Sequence, residues 1–239
     1  MPPLFCAIKS LSSDSLILAI EILLDFGANL HAVDFDKNGR KATPLSIAVA
    51  QGFEPQLIQH LISLGADPTF VDDAGNTLLH TLLLAEDLTS IIALIPLLSR
   101  YVDINRRNFL NETPLHRALL SGYDITLVQN LLDCGADVNL CGGLTLEPPL
   151  LMALPYFQTL KILLQHDKID VKTKNRFGDS VVSELCVLTE FSPVVVNEFA
   201  ALVEGKLNEK FSRYLFTFYL VISISLVSGW STPPPKKNV

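Results

Sequence analysis

At 239 residues, with 49% apolar and 18% charged side chains, the chain is rich enough in core-forming residues to exclude a disordered protein anywhere but at its ends. A net charge of -7 and a pI near 5.2, with no basic stripe, exclude a protein shaped for a phosphate backbone, so nucleic acid is not expected as a partner. Cys6, Cys134, Cys141 and Cys186 lack CxxC spacing, and MPPLFCAIKS lacks the basic and apolar regions of a secretory signal, so a reducing, cytosol-facing setting is expected.

Two kinds of block alternate along the chain. PPLFCAI from Pro2 is followed by ILLDFGANL ending at Leu30, and TPLSIAVA from Thr43 by HLISLGADP ending at Pro68. TLLHTLLLA from Thr77 is followed by PLLSRYVDIN ending at Asn105, and TPLHRALL from Thr113 by NLLDCGADVN ending at Asn139. PPLLMAL from Pro148 precedes a weaker ILLQHDKIDV ending at Val171, and SVVSELCVL opens at Ser180. From Thr43 onward the first blocks start 34, 36, 35 and 32 residues apart, a period that signals a repeat architecture. Each unit reads as a short helix, a turn, a longer helix and a polar loop.

Local chemistry places the helix ends. Thr43 and Thr113 stand where a hydroxyl caps free backbone N–H groups, and Pro44 and Pro114 follow at the first helical position, where a missing N–H costs nothing. Gly27, Gly65 and Gly135 come directly after Leu-rich runs and can take the positive φ that ends a helix. Leu23–Leu24, Leu61–Ile62, Leu131–Leu132 and Leu163–Leu164 are too apolar for one unit to cover, so neighbouring units must stack.

These residues resemble the ankyrin repeat. Thr113-Pro114-Leu115-His116 with Ala118, followed by Leu131 to Asn139, is the clearest copy, and Asp72-Asp73-Ala74-Gly75-Asn76-Thr77 matches the turn between repeats. The resemblance covers residues 2 to 204. It implies an all-α solenoid of about six helix-turn-helix repeats, with β-hairpin-like fingers at the junctions. It also implies that His80 and His116 bond the neighbouring turn, and that partners meet the finger tips and the inner helix of each pair.

Three places depart from the pattern. The first finger, Asp34 to Thr43, spans nine steps where Asp72 to Thr77 and Asn108 to Thr113 span five, so it is expected to protrude, as a binding loop or a neutral insertion. Pro96 falls inside a second helix and predicts a kink or an early break. Pro155 and a repeat shorter by two residues predict an irregular fifth unit.

For partner binding, the tips offer Phe35, Lys37 and Arg40, then Arg106, Arg107 and Phe109, then Arg176 and Phe177, residue types enriched at interface hot spots. Each set also reads as an ordinary solvated loop. His31, His60 and His166 have no partner at metal-site spacing, and no GxSxG or GxxxxGK stretch occurs, so no metal, cofactor or enzymatic activity is expected. Gly142-Gly143 reads as a turn, Cys134 and Cys141 as half-buried thiols rather than a redox pair, and Asn139 as a turn residue or a hydroxylation site implied by the family.

From Tyr214 to Trp230 run 17 residues without a charge, flanked by Lys206, Lys210 and Arg213 before and Lys236 and Lys237 after. Such a stretch, after a linker 205–213 and before a polar tail 231–239, either spans a membrane as a tail anchor or caps the repeat domain 1–204. The expected function is a monomeric protein-binding adaptor or scaffold facing the cytoplasm, tethered or soluble. A soluble inhibitor, a substrate receptor and a host-directed effector stand as alternatives.

Overall fold

The computed structural model describes residues 2–184, apart from 11, 12, 123 and 182. The segments 205–213, 214–230 and 231–239 and most of the sixth repeat lie outside the described residues, and so does the choice between membrane anchor and cap.

The described residues form helix pairs in series: α1 Pro3–Ser10 with α2 Ser13–Asp25, α3 Pro44–Ala50 with α4 Pro55–Ser63, α5 Leu78–Leu82 with α6 Leu88–Leu98, α7 Pro114–Leu120 with α8 Ile125–Asp133, and α9 Pro149–Met152 with α10 Phe157–Gln165. The first helices stack as an inner row (α1, α3, α5, α7, α9), and α4, α6, α8 and α10 stack as an outer row. One continuous core runs the length of the stack, from Leu4, Phe5 and Ile20 through Leu45, Leu57, Leu78, Leu94, Leu115 and Leu127 to Leu150 and Leu163. Each fully buried Leu or Ile contributes about 1.5–3 kcal/mol, and most of that contact is between units.

The caps follow the residues. Ser46 N–H donates to the Thr43 hydroxyl at 3.2 Å while Thr43 N–H donates to Ser46 Oγ at 2.8 Å, a reciprocal box in front of Pro44. Asp87 and Asp124 cap α6 and α8 by accepting from Ser90 and Thr126 N–H. These bonds hold the Asp87 carboxyl down at about 2, chiefly through the Ser90 hydroxyl. At the far end, Ser180 and Ser183 exchange the same pair of bonds as Thr43 and Ser46, and Glu184 N–H donates to the Ser180 carbonyl at 3.0 Å.

Three expectations about irregular places are now resolved. The turn Asp36–Arg40 makes the bonds that Asp72–Asn76 and Asn108–Glu112 make: the first residue's N–H donates to the last carbonyl, and its side-chain oxygen accepts the last N–H. Asp36, and not Asp34, is therefore the counterpart of Asp72, and the first finger is longer by two residues only. That length goes into a short ladder at its base, β1 Asp34–Phe35 with β2 Lys41–Ala42, and Ala42 is buried. Pro96 does not break α6, which runs on to Leu98; the proline lies on the exposed side of the helix. The fifth unit is irregular as expected, since α9 has 4 residues where α3 and α7 have 7. Pro148 stands where the second, third and fourth repeats have threonine and makes no side-chain cap.

Candidate functional site

The buried polar groups explain how the fingers are held. His80 Nε2 lies 3.0 Å from the Glu112 carbonyl, and His116 Nε2 lies 3.2 Å from the Glu147 carbonyl. A carbonyl only accepts, so Nε2 carries the proton in both rings, and Nδ1 is left to accept from the Thr77 and Thr113 N–H groups, each at 3.3 Å. Each imidazole thus ties the start of its own helix to the next finger. Burial pushes both histidines below the ordinary imidazole value, consistent with a ring that needs Nδ1 unprotonated. The histidines are structural, as the resemblance implied.

A second set of bridges links the loops at the opposite end. Asn105 donates to the Gly135 carbonyl at 3.2 Å and accepts from Asp137 N–H at 2.7 Å. Asn139 repeats this one unit on, with the Lys168 carbonyl at 2.6 Å and Asp170 N–H at 2.8 Å. Both ends of the Asn139 amide are engaged, which gives that residue a structural role.

The fingers themselves are joined edge to edge. Phe109 N–H donates to the Ala74 carbonyl, Gly143 N–H to Asn111 and Arg176 N–H to Thr145, all at 2.9 Å. The second to fifth fingers therefore make one hydrogen-bonded edge. Left-handed positions within them are filled by Gly75 and Gly178, by Asn111 at φ 62, which tolerates that region, and by Leu146 at φ 54. A leucine there costs roughly 1–2 kcal/mol.

The predicted residues separate on this frame. Phe109 (78% exposed) and Phe177 (68% exposed) project from the third and fifth fingers, and the Arg176 guanidinium lies 5.6 Å from the Phe177 ring centroid. Arg106 is exposed. Arg107 and Arg176 are exposed but tethered, Arg107 Nη2 to the Cys141 carbonyl at 2.8 Å and Arg176 Nη1 to the Leu144 carbonyl at 3.1 Å. Phe35, Lys37 and Arg40 sit on the first finger; Phe35 and Lys37 are exposed and Arg40 is half-buried. Among the described residues no backbone bond links that finger to the second, so the eight candidates fall into two groups.

Sequence reasoning missed the fourth finger. It runs Gly142-Gly143-Leu144-Thr145-Leu146-Glu147, one residue longer than its neighbours, and exposes Leu144 at 78% and Leu146 at 42% between the two phenylalanines. The signal was a pair of leucines in a loop otherwise made of turn residues. Cys141 lies beneath this finger, its thiol raised by burial, and points to the Asn139 and Lys174 carbonyls. No group of metal-ligating side chains occurs among the described residues.

Paired antiparallel helices with hydrogen-bonded fingers at each junction define a helical-repeat solenoid. Residues 45–142 match the family model for ankyrin repeats in three copies. The fold is that of the solved ankyrin repeat domain of Bcl-3, with a TM-score of 0.64 over 87% of each chain at 23% identity. The chain carries ankyrin repeats over residues 45–142, and its fold is the ankyrin-repeat fold. Similar stretches occur in the E3 ubiquitin-protein ligase KEG of Arabidopsis thaliana, 38% identical over 86 residues, and in the NF-kappa-B inhibitor delta of Mus musculus, 34% identical over 79 residues. The phosphocholine transferase AnkX of Legionella pneumophila is 29% identical over 109 residues. These stretches cover 36%, 33% and 45% of this chain but only 5%, 24% and 11% of those proteins, so the activities in their names belong to much longer chains.

Proposed function

We propose that this chain is a protein-binding adaptor that holds its partner along the edge made by its third, fourth and fifth fingers, with no catalytic step of its own. The observation that carries this reading is the exposure of Phe109, Leu144 and Phe177 on three fingers that are bonded to one another. Large apolar side chains on a stiff edge lose little entropy when covered, which is what makes a binding hot spot. The ankyrin family supplies the class of partner, another protein. The cytoplasm-facing setting and the monomeric state belong to the same proposal.

The test is affinity capture with the full chain beside a Phe109→Ala, Phe177→Ala double variant. The expected result is a protein recovered with the parent and lost with the variant, while circular dichroism shows both folded. Equal recovery by both would remove the fingers from the reading. The uncharged run from Tyr214 to Trp230 supports a second element, a membrane tether behind the solenoid. Full-length chain that resists alkaline carbonate and yields to detergent would fit an anchor, whereas release by carbonate would fit a soluble adaptor capped by that run.

A further inference from the structure

We propose that Asn38 is a modification site, where the first finger deamidates without an enzyme: its side chain closes a succinimide ring with the Gly39 nitrogen, and water reopens the ring as aspartate and isoaspartate.

The sequence holds one Asn-Gly pair, Asn38-Gly39, in 239 residues. The following residue matters because its backbone nitrogen is the attacking atom, and a glycine leaves that nitrogen unshielded and the peptide free to turn. Gly39 stands at φ 74, and a Cβ placed on it would meet nothing within 4 Å, so the space around the pair is open. Asn38 and Gly39 are both exposed at the tip of a turn, within reach of water.

Hydrogen bonding separates Asn38 from the other asparagines. Each of the other eight asparagines among the described residues commits its side-chain amide to a bond, as Asn76 does to Asp72 and Asn111 does to the Gly143 carbonyl. The Asn38 side chain makes none; the residue is held by its backbone N–H, which donates to Asp36 Oδ1 at 2.8 Å. Its amide therefore rotates onto the next peptide without breaking a bond, whereas rotation at the other positions breaks one.

One bond opposes the attack. Gly39 N–H donates to the Asp36 carbonyl at 3.1 Å, so the turn must open before the nitrogen is released. Among the described residues no backbone bond ties the first finger to the second, whereas the second to fifth are bonded edge to edge, so the first finger opens at lower cost than they do.

The chemistry balances with water alone. Base takes the Gly39 amide proton, the nitrogen bonds to Asn38 Cγ, and the amide Cγ–N bond breaks to release ammonia. Water then cleaves one of the two ring C–N bonds. Cleavage at Cγ leaves aspartate in an ordinary backbone, and cleavage at the backbone carbonyl leaves isoaspartate, with the chain longer by one carbon. That carbon falls inside the turn closed by Asp36 N–H to the Arg40 carbonyl at 2.9 Å. The change lands on the finger that carries Phe35, Lys37 and Arg40 and leaves the edge with Phe109 and Phe177 as it is.

The test is incubation of the full-length chain at about pH 9 and about pH 6, followed by chymotryptic peptide mapping with mass spectrometry. The peptide containing Asn38 should gain the mass difference between an amide and an acid at least tenfold faster than peptides holding the other described asparagines. The gain should be faster at the higher pH and should split into two products on chromatography, aspartate and isoaspartate. Asn38→Gln should abolish it, because the longer side chain has to close a larger and slower ring, and circular dichroism checks that the variant keeps the fold. No gain at Asn38, an equal gain at the other asparagines, or aspartate without isoaspartate would overturn the proposal. So would a gain that appears only in urea, since the folded finger would then be protecting the amide.

Discussion

Three kinds of polar bond cross the junctions between the third, fourth and fifth repeats, and among the described residues none of the three crosses the junctions before them. His80 and His116 reach the next finger, Asn105 and Asn139 reach the next loop, and the second to fifth fingers bond to one another. At the earlier positions, among the described residues, Ser46 bonds to Thr43, Thr69 to Asp67, and His31 N–H donates to Asn29 Oδ1, all within one unit. What crosses there is the apolar core, with two contacts at 3.3 Å, an exposed one from Gln59 to Tyr101 and a partly buried one from His60 Nε2 to Glu21. Apolar stacking is therefore enough to build the solenoid, whereas the polar stitching is local and stiffens the part that carries the exposed finger row. A small cavity of about 20 Å³ lined by Asp36, Ser46, Asp72 and Asn76 lies beneath the first two fingers, where a histidine at position 46 would otherwise stand.

The largest break in this comparison is His116→Ala. It removes a buried ring and leaves the Thr113 N–H without its acceptor, for an expected loss of about 2–4 kcal/mol in urea denaturation. Ser46→Ala, at a junction without such a bridge, should cost about 1 kcal/mol. A difference between the two variants near zero would show that the stitching contributes nothing.

Acid tests the same contrast. Both buried imidazoles are neutral in the fold with pKa values pushed below the ordinary value near 6.5, so on acidification the unfolded chain takes up protons first. Their contribution is complete above about pH 6.5 and is lost as pH falls through the depressed folded values. The urea midpoint should fall between pH 7.5 and 5.5, and fall less in a His80→Gln, His116→Gln double variant. Equal slopes would assign the acid sensitivity elsewhere.

Smaller effects sharpen the picture at the loops. Asn139→Ala should cost about 1 kcal/mol and speed amide exchange at Asp170, whose N–H loses its acceptor. In the opposite direction, Thr69→Asn should add about 0.5 kcal/mol by giving the second loop the bridge that Asn105 and Asn139 make. Native-state hydrogen exchange should find the first two repeats opening at lower free energy than the third and fourth, and uniform protection would contradict the division drawn above.

Much of this was legible in the sequence because the repeat advertises itself. Thr-Pro at 43 and 113 and glycine at 65 and 135 fixed the helix ends through chemistry that operates within a few residues. The finger residues Phe109 and Phe177 were legible because aromatics in a turn have no core to enter. Leu144 was not, since its exposure depends on the fourth finger being one residue longer, and Gly142-Gly143 read simply as a turn. The register of the first finger was also hidden: Asp34 and Asp36 are equally plausible turn starters, and only the hydrogen bonds of Asp36 to Arg40 decide between them. Pro96 breaks nothing because it sits on the solvent side of α6, a property of packing rather than of spacing.

Gly142 lies so close to His116 that a Cβ on it would come 2.5 Å from Nε2, and a Cβ on Gly75 would come 2.6 Å from Cδ1 of Phe109. Each pair joins residues from adjacent repeats. The heritable module in this protein is therefore the seam and not the repeat: a duplication, deletion or graft cut at the repeat boundary would separate a side chain from the glycine that makes room for it. A designer who shuffles these units should cut through the middle of a helix pair, so that both halves of each seam travel together.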